Sequence, residues 1–246
     1  MKKTLLFFLL FAGFVFSMPQ ATKAISYRGF VEASYVNGFD NKYYSRDRHQ
    51  YENKYFKGVN ANTTHGVQVL KNLFVGAGVG YVFTAYEMFH FQYRHLLSFY
   101  GDVRWDGFGL FGLGKRVSPF VDLKIGYQIM LTGTLSWVEN NGYYYSIYRG
   151  NMTIFDNYPN HIYSKAMKPG GLFIRPTIGV RIGLSKKVGF NIGIFCDIAN
   201  SIRIKSFEYT ARHDNFETGE YQYKNMTFKG KTFNYFPFGL TLGVDF

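Results

Sequence analysis

The stretch FPFGLTLGVDF, residues 236–246, decides the reading of this chain. Phe238, Leu240, Leu242, Val244 and Phe246 occupy alternate positions, the period of a strand whose successive side chains point to opposite faces. One such strand could close many all-β proteins, so its meaning depends on whether the rest of the chain repeats it.

It does. Over 25–36, Tyr27, Val31, Ala33 and Tyr35 alternate with Arg28, Glu32 and Ser34. Over 73–84, Leu73, Val75, Ala77, Val79, Tyr81 and Phe83 alternate with Gly76, Gly78, Gly80 and Thr84. Over 119–131, Val121, Leu123, Ile125, Tyr127 and Ile129 alternate with Asp122, Lys124, Gly126 and Gln128. Over 172–184, Ile174, Ile178, Val180 and Ile182 alternate with Arg175, Thr177, Gly179, Arg181 and Gly183. Weaker versions at 59–69, 97–105 and 188–198 bring the total to eight, and helical spacing is almost absent.

In nearly every segment one face is aliphatic or aromatic while the other mixes glycine with Arg, Lys, Asp or Glu. Glycine has little use on a strand face turned to water. Inside a narrow barrel it leaves room for large neighbours and lets strands curve. Segments longer than the usual soluble strand, an even count and aromatics near strand ends predict an all-β fold, a transmembrane antiparallel up-and-down barrel of eight strands. Ten strands result if 143–155 inserts, although that stretch lacks a clean lipid face.

The connections alternate in length as such a barrel requires. Residues 70–72 and 185–187 are short turns, whereas 37–57, 85–96, 132–170 and 202–232 are long loops for the outer side. Residues 106–118 are too long for a turn and do not fit the pattern.

The chain has 246 residues, 47% of them hydrophobic, with 27 Gly and only 6 Pro, which excludes a disordered chain. Its 21 Tyr, 27 Phe and 2 Trp reinforce the β reading, and a mean hydropathy of -0.13 is too low for a bundle of membrane helices. Lys2 and Lys3, the apolar run from Leu5 to Phe16 and the small residues Ala21 and Ala24 read as a secretory signal peptide over 1–24, leaving 25–246 as the barrel domain. The formal charge of +12 falls to +9 when Lys2, Lys3 and Lys23 are removed. Cys196 is the single cysteine, so no intrachain disulfide is available, and it reads as a small apolar residue.

Given a barrel, the terminal strand acquires a second role. Phe238, Leu240, Leu242, Val244 and Phe246 present the exposed edge and alternating side chains that outer-membrane assembly machinery recognises by strand pairing.

The segments ISYRGFVEASY, THGVQVLKNLFVGAGVGY, SPFVDLKIGYQI, GGLFIRPTIGVRIGL and FGLTLGVDF resemble the small outer-membrane β-barrel proteins (porin-family, OmpA/OmpX-like) of Gram-negative bacteria. The resemblance covers most of the chain after residue 24 except the outer loops. It implies an eight-stranded barrel in the outer membrane without a cofactor. It says little about function, because such barrels serve as anchors, adhesins, narrow pores and occasionally enzymes.

The inward face collects Arg28, Arg104, Lys124, Arg175 and Arg181 against Glu32, Asp102, Asp122 and Asp197. Eight strands enclose a space that side chains just fill, so these groups are expected to form a structural ion-pair network that closes the lumen. The alternative is a polar track for ions or small solutes, a narrow porin.

No HExxH, CxxC or Gly-x-Ser-x-Gly motif occurs, and neither a metal nor a catalytic residue is assigned. His49, His90, His95, His161 and His213 fall in or beside outer loops, and His65 lies on strand two with lipid-facing parity. His95, Ser98 and Asp102 are spaced to suggest a hydrolytic set, a lipid-modifying or proteolytic enzyme, but in a strand His95 and Ser98 point to opposite faces.

The outer loops are rich in Tyr and Asn. Tyr143, Tyr144 and Tyr145 follow an Asn-Gly pair, a hairpin signal, and 206–228 alternates as a second raised hairpin. Tyrosine supplies rigid amphipathic contact area suited to an extracellular ligand. The loops carry most of the positive charge, and the phosphates of lipopolysaccharide are the nearby anions. Nucleic acid is an improbable partner because the basic residues are dispersed and the protein is exported. The reading favours a monomer in the outer membrane, non-enzymatic, with a structural or surface-interaction role.

Overall fold

In the computed structural model the described residues are 26–40, 43–44, 50–51, 54–86, 92–107, 116–138, 144–148, 151–155, 162–166, 169–185, 188–214 and 221–246. The signal-peptide expectation for 1–24 lies outside them.

A strand surrounded by lipid must find backbone partners on both edges, and closure is the arrangement that leaves no edge. The eight long strands achieve it: β1 Ser26–Asp40, β2 Lys54–Leu70, β3 Leu73–Tyr86, β4 Gln92–Asp106, β5 Val117–Val138, β6 Gly170–Gly183, β7 in two pieces (Gly189–Cys196 and Ala199–Ile204) and β8 Lys231–Asp245. Each pairs antiparallel with its neighbours in sequence, and β8 returns to β1 over eleven partners from Asp40↔Tyr235 to Phe30↔Asp245. Following partners around the barrel from Ser26 through Gln68, Phe74, Arg104, Asp122, Thr177, Phe195 and Gly239 returns to Val36, ten residues farther along β1. That stagger tilts the strands by about 40° to the axis.

The pleat then sorts the side chains. Exposed residues outside include Val31, Tyr35, Val79, Val121, Ile125, Ile178, Ile194, Leu240 and Val244, and buried ones inside include Glu32, Asp102, Lys124, Arg175 and Thr241. This is the inverse of a soluble protein. The outward face of β8 between Phe236 and Phe246 covers about 25 Å along the axis, the height of a lipid-facing band. Glycine appears inside where large rings need the volume: a Cβ on Gly78 would lie 2.5 Å from the Tyr100 ring.

Above the band β5 continues to Val138 and pairs with Tyr144–Tyr148, followed by Asn151–Phe155 and Ile162–Ala166. This settles the count at eight, because β6 pairs directly with β5 from Gly170↔Ile129 to Ile182↔Val117 and leaves no gap for insertion. Phe207–Asp214 pairs with Tyr221–Phe228 as a second raised hairpin. The strands reach farther up than the alternation indicated. Residues 37–40, 54–57, 85–86, 92–96, 132–138 and 202–204, expected in loops, are strand. The 106–118 connection contributes its ends to β4 and β5, with residues 108–115 outside the described part.

Candidate functional site in the barrel lumen

The inward side chains stack in four levels. At the inner end Asp245 on β8 is the hub: Arg181 donates to it from Nε (3.0 Å) and Nη2 (2.8 Å), Arg28 from Nη2 (3.1 Å), and Asn191 from Nδ2 (3.0 Å). Arg28 also pairs with Asp106, to which Arg104 donates from Nε at 3.0 Å. Arg104, 1% exposed, has its guanidinium 3.7 Å from the Phe120 ring centroid, a cation–π contact that shields it on one face.

At the second level Lys124 sits among three carboxylates: Glu32 at 3.0 Å, Asp102 at 3.7 Å and Asp122, which accepts its hydrogen bond. Tyr100 and Thr64 share a hydroxyl hydrogen bond of 2.9 Å beside them.

At the third level Arg175 grips Asp197 with two parallel bonds, Nε to Oδ1 at 2.6 Å and Nη2 to Oδ2 at 3.1 Å. A bulge follows the fork on β7. Between Phe195 and Asn200, β7 spends five residues where β6 spends four, from Thr177 to Phe173. Asp197 keeps the inward parity of Phe195, and the extra residue after it turns Asn200, Ile202 and Ile204 inward, the re-aiming that bulges provide. Asn200 then donates to Asp197 at 2.7 Å and accepts from Gln128.

The fourth level, at the outer mouth, is apolar. Val36, Phe56, Val82, Leu96, Met130, Phe195, Ile202, Ile204 and Tyr235 form a cluster completed from above by Tyr209 and Phe228 of the raised hairpin. Arg94 enters this level with its guanidinium 4.2 Å from the centre of the Tyr235 ring.

All nine residues expected in the lumen network face inward: Glu32, Asp102, Arg104, Asp122, Lys124, Arg175 and Asp197 are buried, and Arg28 and Arg181 have side chains 11% exposed. Several inward residues were missed, Gln68 and Asn200 among them, which bond to Arg28 and Asp197. Asp106 continues the parity of Asp102 and Arg104, and Asp245 opposes Val244 and Phe246, so alternation could have found both. Asn191 carries no charge to draw notice. Arg94 falls in the expected second outer loop, and its correction follows from β4 beginning at Gln92. With these additions the lumen holds six cations and six anions among the described residues. The expectation of closure by ion pairs alone needs the same revision, since the outer mouth is filled by apolar side chains.

Among the described residues, voids of about 10 and 20 Å³ lie beside Asn62, Ser98, Lys124 and Arg175 and beside Phe56, Arg94, Asn200 and Tyr235, room for about one water each. Asn60 Oδ1, Asp102 Oδ1, Asp122 Oδ1 and Arg104 Nη1 are buried in the lumen without a hydrogen-bond partner.

The remaining candidates are not brought together. Ser98 and Asp102 are buried inside, while His95 faces outward among Tyr81, Phe83 and Tyr93, so the hydrolytic set does not assemble. His65 lies on the outer surface between the Tyr27 hydroxyl (2.5 Å from Nδ1) and the Thr63 hydroxyl (2.9 Å from Nε2). Cys196 is exposed on the lipid-facing side. Tyr144 and Tyr145 lie on the first strand added to β5, and Tyr143 is outside the described residues. His49, His90 and His161 are outside them as well.

Phe238, Leu240, Leu242, Val244 and Phe246 are all exposed on the outer face of β8. Phe246 is also seated: its backbone exchanges hydrogen bonds with Gly29 at 2.9 and 3.0 Å, and a Cβ on Gly29 would come within 2.8 Å of its ring.

No family model and no curated protein matches the chain. Among solved structures, the Neisserial surface protein A (NspA) is similar over 91% of this chain and 98% of its own, with 11% identity and a TM-score of 0.45. The outer membrane protease OmpT from Escherichia coli is similar over 93% and 99%, with 7% identity and a TM-score of 0.37. A major outer membrane protein from Thermus thermophilus is similar over 89% and 99%, with 12% identity and a TM-score of 0.36. From its closed strands, polar interior and apolar outer band, the chain is an eight-stranded barrel of the outer-membrane type.

Proposed function

We propose that this protein is a closed, non-enzymatic outer-membrane barrel that works as a rigid anchor for its extracellular strands and loops. The observation that carries this reading is the filling of the lumen at all four levels, ending in an apolar plug contributed partly by the raised hairpin. A barrel that spends its interior on packing has its variable surface outside, where β5 and its added strands project above the lipid band.

Swelling of liposomes carrying the refolded protein tests it. Arabinose and potassium chloride are expected to enter no faster than into empty liposomes, while entry at a porin's rate would contradict the reading. The second reading, a narrow ion conduit, draws on one feature: the two water-sized voids and the unpartnered oxygens of Asp102 and Asp122 mark a discontinuous polar track. Its signature is conductance that changes when Asp102 is replaced by Asn.

A further inference from the structure

Outside the lumen, charge is distributed one-sidedly. Among residues whose side chains are described, the exposed charged groups are Lys57, Lys71, Arg116, Arg203, Lys205 and Lys229, against one acid, Glu208. Three of the six gather on one seam, where Glu208 also lies, opposite Thr227. Arg203 lies on the second piece of β7, opposite Thr232 of β8, and the register continues through Ile204↔Lys231 to Phe207↔Phe228. Lys205 and Lys229 therefore occupy the facing segments between those two pairs, one on each side of the seam.

The backbone under these cations is held from inside. Ile202 and Ile204 are 0% and 1% exposed, and Tyr209 and Phe228 pack into the same cluster. Directly below on the outer face, Ile198 (65% exposed), Leu172 (62%) and Phe238 (41%) form apolar wall at the level of acyl chains. Apolar wall capped by clustered cations at the outer edge of the lipid band complements an amphiphile with acyl chains below and phosphate above.

We infer that Arg203, Lys205 and Lys229 form a binding site for the phosphate of a phosphorylated outer-leaflet glycolipid, with its acyl chains lying on Ile198, Leu172 and Phe238. The site deepens the proposed function and rests on it only for which end faces outward; the lumen can conduct or not without affecting it. Cations near an anionic membrane surface contribute about 1 kcal/mol each, so losing three corresponds to about 100-fold in affinity.

The test uses the refolded full barrel in detergent, with binding read by native mass spectrometry for lipopolysaccharide, enzymatically dephosphorylated lipopolysaccharide and inorganic phosphate. Arg203→Gln/Lys205→Gln/Lys229→Gln is compared with Lys71→Gln/Arg116→Gln at the inner end, and heat-shifted gel mobility establishes that each is folded. Lipopolysaccharide is expected to bind the parent and the inner-end variant alike and the triple variant about 100-fold more weakly. Equal binding by the triple variant, equal binding of the dephosphorylated lipid, or free phosphate binding as tightly as the lipid would each overturn the assignment. If the triple variant fails to fold, Lys205→Gln/Lys229→Gln alone is expected to weaken binding more than tenfold.

Discussion

Asp197 shows how much depends on single residues in this interior. It is fully buried, makes both bonds of the Arg175 fork and accepts from Asn200. Removing one partner of a buried pair strands the other charge, so Asp197→Ala should cost about 3–5 kcal/mol, while Asp197→Ala/Arg175→Met should cost less than either single change. Urea titrations of the four proteins check this, and an additive double variant would deny the coupling. Arg181→Ala should likewise lower thermal stability more than Lys71→Ala, because Arg181 holds Asp245 and Lys71 is exposed; equal effects would argue against its inner location. Gly29 offers a test at the seam. Gly29→Val drives a side chain into the seat of Phe246 and should destabilise by about 1–3 kcal/mol, with most of the loss absent in a Phe246→Ala background. Alternation made Arg28, Glu32 and Lys124 legible as inward residues because inversion makes every polar position on a clean strand an interior one. It could not tell which acid each cation takes, since partners such as Arg28 and Asp106 lie on strands far apart in sequence.

Among the elements, β7 and the raised hairpin depart most from what alternation suggests. The period of β7 breaks after Ile198, where the bulge moves inward parity from odd to even positions, so the legible alternation stops six residues before Ile204. The hairpin alternates plainly, yet nothing in its sequence says that Tyr209 and Phe228 turn back into the barrel mouth. Only the apolar inward positions at the outer ends of neighbouring strands, such as Ile202 and Ile204, reveal that fit. Removing Phe228 should leave a cavity in the plug, and Phe228→Ala is expected to lower stability by about 3–5 kcal/mol. Thermal melts followed by gel mobility read the loss; a change within error would place the ring outside the cluster. The outer loops are shorter than the alternation implies for a related reason. Strand pairing continues above the lipid band, where neither face must be apolar and the two-residue period fades.

At the scale of the whole molecule, two solvents have produced one inside-out protein. Lipid takes the aliphatic and aromatic face, a stagger of ten residues sets an interior about as wide as two facing side chains, and among the described residues that interior balances six cations with six anions beneath an apolar plug. The fold was legible because each strand repeats the same pattern, whereas the work of the loops depends on side chains that no repeat constrains. Single-channel conductance of the refolded barrel in a planar bilayer, with heat-shifted mobility showing that it is folded, tests closure most directly. A closed lumen predicts silence. Steady openings whose size or selectivity changes in Arg175→Ala and Arg181→Ala would contradict it and make the lumen a solute path.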